Sequence, residues 1–368
     1  MAILKFIRIS LLLIIIEFAL TSCYQEFDPD LQSKSVLCMN SEITPDNPVT
    51  LFLTRSWCWT EDSEHKVDVD VTDAEVKLYV NGQFKELLIL DEEETNSYDY
   101  SGPKVRKCYR GSYRVSVGDE ILIEASSAEY GNAHAEAKIP EPVYIDKVEI
   151  RNLMISSIGD TSGFPACKDR SVFIFNLNAL IHITDKYDSK DYYDVKVGLS
   201  PYSNYDHQAE AYGSLVFPGF DEEPLFTEHV SVLESGISDN YGYSIFSDRQ
   251  INGKSYPLRI TFSDCRFSYQ NPQNLEAPKE YGIVVTLRHI DESYYKHVIS
   301  VWNANDAIIG ALGEVGLANP VYAYSNVSTN AGVVTAYADT KVTIPYVKLI
   351  ELYMEAEGNS DFTLPGNY

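Results

Sequence analysis

The chain has 368 residues, with 54 acidic against 29 basic side chains and a formal charge of −25. Recognition of a phosphate backbone depends on clustered Lys and Arg, so this deficit excludes nucleic acid as a partner. At 45% hydrophobic and 23% charged the composition excludes disorder and suits one large or two medium cores, and 27 Tyr with 15 Phe against four Met favour strands over helices.

Residues 1–22 read as a signal peptide: Lys5 and Arg8 precede an apolar run over 9–20 that one acid, Glu17, breaks. The run is short for a membrane-spanning helix. Leu20-Thr21-Ser22-Cys23 resembles the lipobox of bacterial lipoproteins, so Cys23 is the expected acylation site and the new N-terminus. Processing there removes two cations and one anion, giving a mature charge of −26. Residues 23–32, among them Glu26, Asp28 and Asp30, form an acidic tether, which resembles the segment behind the lipidated Cys in surface-exported lipoproteins of Bacteroidetes. The expected location is therefore the outer membrane, with the chain lipid-anchored and exposed at the cell surface.

From 33 to 140 the text is made of short alternating runs between turns. Strands are expected at 49–54, 74–80, 84–90, 113–117, 120–125 and 133–139, with Asn81-Gly82 as a two-residue hairpin turn. The acidic run Asp91-Glu92-Glu93-Glu94 reads as a solvated loop. This spacing describes an immunoglobulin-like β-sandwich. Ile139-Pro140-Glu141-Pro142 is a stiff hinge. Alternation returns at 144–150, 172–184, 192–199, 256–262 and 281–289, and again at 321–325, 333–338 and 341–345. Asp291 caps an expected helix whose Tyr294, Tyr295, Val298, Ile299 and Trp302 share a face. The last twenty or so residues show weak pattern, as a terminal strand or a frayed tail. The fold class is all-β: an N-terminal immunoglobulin-like β-sandwich over 33–140, then a larger sandwich or barrel-like β domain over 141–368 with one short helix.

Five cysteines follow Cys23. Cys58 with Cys108, and Cys167 with Cys265, are the expected disulfides, each inside one domain; Cys38 is left over as a buried thiol, or exchanges into the first pair. No cofactor or metal site is expected. The chain has no nucleophile elbow, zinc-protease motif, Walker loop or dinucleotide fingerprint. His289 and His297 read as satisfied or surface residues, and Asp68, Asp70, Asp73 and Glu75 as a solvated strand edge. The residues singled out for ligand or partner contact are Tyr202, Tyr205, Tyr212, Tyr241 and Tyr243, aromatic positions in a polar stretch over 200–246. Packing of that loop onto its own sandwich is the competing reading.

The order of these pieces, from the lipobox through "PVTLFLTRS", "DAEVKLYVNGQF" and "GDEILIEASSAEYGNAHAEAKIPEPV" to "FSDRQINGK", the stretch from Val285 to Tyr295, and "NPVYAYSNVSTNAGVVTAYADTKVTI", resembles the Bacteroidetes lipoproteins of domain-of-unknown-function family 4249. The resemblance implies a non-catalytic surface lipoprotein, acting in nutrient uptake as accessory or ligand-capture partner of a TonB-dependent outer-membrane receptor. A small-molecule, glycan or peptide ligand fits that role. An adhesin or fimbria-like subunit is the alternative, and a surface hydrolase a more distant one.

Overall fold

The computed structural model describes residues 34–57, 69–95, 104–158, 171–187, 189–200, 211–214, 219, 223–227, 244–269, 281–305 and 322–355. Fifteen strands, two α-helices and two short 3-10 turns occur among them, an all-β, sandwich-like fold. The first seven strands are β1 (Leu37–Ile43), β2 (Thr50–Arg55), β3 (Glu75–Val80), β4 (Gln83–Thr95), β5 (Lys104–Arg110), β6 (Glu120–Ser127) and β7 (Gly131–Lys138). The period-two alternation anticipated for β3, β6 and β7 buries Val76, Leu78 and Val80 against Ile121, Ile123 and Ala125, and Ala133 and Ala135 beside them. Leu37 and Met39 of β1 and Leu51 and Leu53 of β2 close this first core. Asn81 and Gly82 turn β3 into β4 with φ of 52° and 73°, the left-handed pair that an Asn-Gly hairpin supplies.

The later strands are β8 (Ile145–Ile158), β9 (Ser171–Thr184), β10 (Tyr192–Ser200), β11 (Ala211–Ser214), β12 (Ile245–Ser247), β13 (Ser255–Tyr269), β14 (Gly282–Ile290) and β15 (Gly332–Pro345), with α1 (Glu292–Asn305) and α2 (Tyr346–Glu355). A four-stranded sheet in the order β11-β13-β9-β8 faces an eleven-stranded one in the order β12-β10-β14-β15-β1-β2-β5-β4-β3-β6-β7. Phe175, Leu177, Ile181, Leu258 and Ile260 meet Val195, Ile283, Val285 and Leu287 in the second core.

Strand β15 joins the two. Its first residues pair in parallel with β1, Met39 opposite Gly332 and Ile43 opposite Ala336. Its remainder pairs antiparallel with β14, Tyr337 opposite Ile290 and Pro345 opposite Gly282. Along one face, Val334 and Ala336 enter the first core and Val342 and Ile344 the second. The segment leading into β15 is tied across the first sandwich as well. The Asn326 side-chain amide donates to Glu136 O on β7 and Val334 O on β15, at 2.8 and 2.7 Å. The Thr329 hydroxyl donates to Leu37 O at 2.7 Å.

Four expectations about elements are corrected. The acidic run at 91–94 is strand, because β5 lays Lys107 opposite Glu92 and Arg106 opposite Glu93, so the two middle carboxylates gain a basic cross-strand neighbour. Residues 113–117 form no strand: the Glu86 carboxylate accepts the N–H groups of Ser112 and Tyr113 at 2.8 and 2.7 Å, which takes that backbone out of any ladder. The described part of 321–325 is not strand either, and Tyr324 N–H donates to the Ser300 hydroxyl of α1 at 2.6 Å. Residues 346–355 are helix, not tail or strand, burying Tyr346, Leu349 and Leu352 at three-residue spacing.

Gly332 has φ of +84°, and a Cβ there would stand 2.2 Å from Met39 O. Gly332→Ala combines left-handed strain with a backbone clash at the junction of β1 and β15, for an expected loss of roughly 3 kcal/mol in urea unfolding. A loss below about 0.5 kcal/mol, the size of an ordinary surface substitution, would show that the junction is not held as described.

Candidate functional site

The other face of β15 carries Val333, Thr335, Tyr337 and Asp339, and α1 packs on this side. Asp291 starts the helix as anticipated, its Oδ1 accepting Tyr294 N–H at 2.8 Å. Tyr294, Tyr295, Val298 and Ile299 then form a small cluster with Tyr192, Ile245, Ile290 and Tyr337.

Between α1 and the outer face of β1, β2 and β15 lies a groove of about 620 Å³. Tyr294, His297 and Val298 make the helical wall; Asn40, Glu42, Phe52 and Val333 belong to β1, β2 and β15, with Asn47 and Pro48 from the turn between β1 and β2, Glu93 from β4 and Arg110 from β5. The lining carries two carboxylates and one guanidinium. That guanidinium is already engaged: Arg110 Nε donates to Asp91 at 2.8 Å and Nη2 to Glu93 Oε2 at 2.9 Å. Glu42 is largely exposed and forms a long ion pair with Arg288 Nη1 at 3.6 Å, outside hydrogen-bonding range. Arg288 in turn donates to both Asp339 oxygens, at 2.8 and 3.2 Å, and lies 3.5 Å over the Tyr337 ring. His297 Nδ1 is 2.7 Å from Tyr324 O. A carbonyl only accepts, so Nδ1 carries the proton and Nε2 is the acceptor of the neutral ring. Phe52 is stacked by Arg106 at 4.6 Å.

A second hollow, of about 600 Å³, lies at the hinge, where Pro140 and Glu141 meet Asp191, Tyr192 and His289. Behind it Asp185, Asp191 and Asp248 are buried, each offering a carboxylate oxygen within 4.8 Å of the others. Three such oxygens suit a hard cation. Each carboxylate nevertheless has donors within the chain. Asp185 accepts from the Tyr193 hydroxyl and from Gly253 N–H, Asp191 from Ser189 Oγ at 2.5 Å, and Asp248 from Asn252 Nδ2 at 2.7 Å. His289 Nε2 stands 3.3 Å from Asp191, while its Nδ1 contacts Glu141 O. Burial pushes Asp185 up, with the bonds from Tyr193 and Gly253 opposing it only in part. For Asp191 burial acts in the same sense, but the bonds from His289 and Ser189 outweigh it and hold the carboxyl below its ordinary value. Asp185 thus takes a proton before Asp191 does.

Most of the residues chosen from the sequence lie elsewhere. Cys23, Cys58, Cys167, Tyr202, Tyr205, Tyr241 and Tyr243 fall outside the described residues. Tyr212 is in β11, opposite Ser268 of β13. Cys108 is a free, buried thiol on β5, pushed up by burial, and Cys38 is a free, half-buried one. Cys265 is buried in the second core. His289 and His297 are both bonded to backbone carbonyls, as satisfied histidines are. The groove residues were missed, since they come from separate elements and share no spacing. Part of the aspartate cluster did have a signal: Asp248, Asn252 and Gly253 lie within the stretch "FSDRQINGK".

A family model described as Domain of unknown function (DUF4249) matches residues 24–343. No curated protein and no solved structure gives a match.

Asp291 gives the site a pH dependence. Burial pushes its carboxyl up to about 7, against the opposing bonds from the Tyr294 and Ala336 backbone. The folded chain therefore holds this proton more tightly than the unfolded one. The resulting stability is complete below the ordinary value of about 3.9 and is lost as pH rises through about 7. Asp291→Asn keeps a capping oxygen without the titration. Its Tm relative to wild type should rise by roughly 5 °C between pH 5 and pH 8, and a difference that does not change with pH would contradict the assignment.

Proposed function

Because the chain belongs to the DUF4249 family, we propose that it is a non-catalytic, lipid-anchored lipoprotein of the outer membrane, exposed at the cell surface, where it serves a TonB-dependent transporter as accessory and captures ligand. The single observation that carries the capture role is the open groove beside α1, with polar acceptors and an aromatic ring at its walls. The leader, the lipobox ending at Cys23 and the acidic segment behind it support the anchoring and the place. A binding role also suits the way the titratable groups are held. The aspartate cluster, the Arg288–Asp339 pair and both histidines are fixed by internal partners, the arrangement of a rigid scaffold. A charge of −25 suits an ectodomain beside an anionic surface, where repulsion keeps it soluble and extended from the lipid.

Two measurements test this reading. Cys23→Ala should abolish palmitate labelling and move the protein out of the membrane fraction, whereas unchanged labelling would remove the lipid anchor from the account. Affinity purification of the tagged chain from detergent-solubilised outer membranes should bring down a β-barrel receptor; recovery of the chain alone would end the accessory role.

A further inference from the structure

We infer that the groove between α1 and the outer face of β1, β2 and β15 takes a short basic peptide, held by its ammonium or guanidinium groups. The inference rests on the ligand-capture reading above and adds the class of ligand. It follows from which hydrogen-bonding groups of the groove are engaged and which are open.

The one guanidinium of the lining has two of its nitrogens committed to Asp91 and Glu93. An anionic ligand would have to displace both carboxylates and would meet the negative field of the whole chain. The acceptors stand differently. Glu42 has its carboxylate in solvent, with Arg288 no closer than 3.6 Å and that cation held by both oxygens of Asp339. Arg110 engages Glu93 through Oε2. His297 has its proton directed at Tyr324 O, which leaves Nε2 as the acceptor of the neutral ring. A groove whose one guanidinium is engaged, while the Glu42 carboxylate is exposed and Glu93 gives one oxygen to Arg110, selects a ligand rich in donors. A charged donor gains about twice what a neutral hydroxyl does from each carboxylate contact. Asn40 and Asn47 supply amides for the neutral backbone of such a ligand, and the half-buried Phe52, whose ring already carries the Arg106 guanidinium, marks a wall that accepts a cation with its alkyl stem. A volume of about 620 Å³ accommodates a few residues.

The test is calorimetric titration of the purified chain with three probes: tri-lysine amide, tri-glutamate and maltotriose. Tri-lysine amide should bind, the other two should bind at least tenfold more weakly, and its affinity should fall as salt is raised from roughly 50 to 300 mM. Glu42 is exposed, so Glu42→Gln should leave the melting temperature unchanged while weakening tri-lysine roughly tenfold, and Glu42→Gln with Glu93→Gln should weaken it further. Equal binding of tri-lysine by wild type and both variants, a preference for maltotriose, or no heat with any probe would each overturn the inference. Maltotriose binding would leave ligand capture standing with a different ligand, and a receptor that still co-purifies would leave the accessory role standing. The loss of either role is therefore distinguishable from the loss of this inference.

Discussion

The parallel pairing of β15 with β1 brings together chain segments almost three hundred residues apart, and the geometry of both cores depends on it. A strand has two faces, and β15 uses each along its whole length. Val334, Ala336, Val342 and Ile344 put one face into the first core and then into the second. Thr335, Tyr337 and Asp339 put the other against α1, the groove and Arg288. Burial on the core face fixes the register, because a slip by one residue would turn Thr335, Asp339 and Lys341 toward the cores in place of Val334, Ala338 and Val342. The Asn326 amide reinforces this at the entry to the strand, where its oxygen also accepts Val334 N–H at 3.0 Å.

The groove is a consequence of that arrangement. α1 follows β14 directly, and its cap Asp291 donates its own N–H to Ala336 O at 2.9 Å, so the helix is pinned to the point where β15 changes partner. The outer side chains of β1 and β2 are left opposite the helix. Glu93 and Arg110 arrive there because β4 and β5 continue as a charged ladder beyond the first core. Individual exposed ion pairs of this kind contribute little, about 0–1 kcal/mol each. Their effect here is to occupy the basic groups and leave the carboxylate of Glu42 facing the opening.

The sequence was legible where structure is local. β2, β3, β4, β6 and β7 could be read from alternation, the hairpin from Asn81-Gly82, and α1 from Asp291 and the spacing of Tyr294, Val298 and Ile299, since each signal lies within a few residues of the element it specifies. What could not be read is non-local. β1 alternates in burial, but Ser41 occupies one of its four buried positions, which weakens the apolar signal. Its partner is the last strand of the chain. The acidic run at 91–94 looked like solvated loop because the basic side chains that stabilise it as strand stand across the ladder on β5. Residues 113–117 alternate well enough for a strand, yet a carboxylate on β4 takes the N–H groups of Ser112 and Tyr113, where such a strand would begin. The candidate site was less legible still. Glu42, Phe52, Glu93, Arg110 and His297 lie on five elements, and no motif connects them, whereas the tyrosines that composition singled out fall mainly outside the described residues.

If β15 serves both cores, they must open together. Native-state hydrogen exchange read by mass spectrometry measures this directly, because it assigns an opening free energy to each segment. The account predicts that the slowest amides of β1, β9, β14 and β15 exchange with one common free energy, equal to that of global unfolding. Exchange of β1 to β7 as a separate, earlier unit, with residues 332–336 released while 337–345 stay protected, would contradict it.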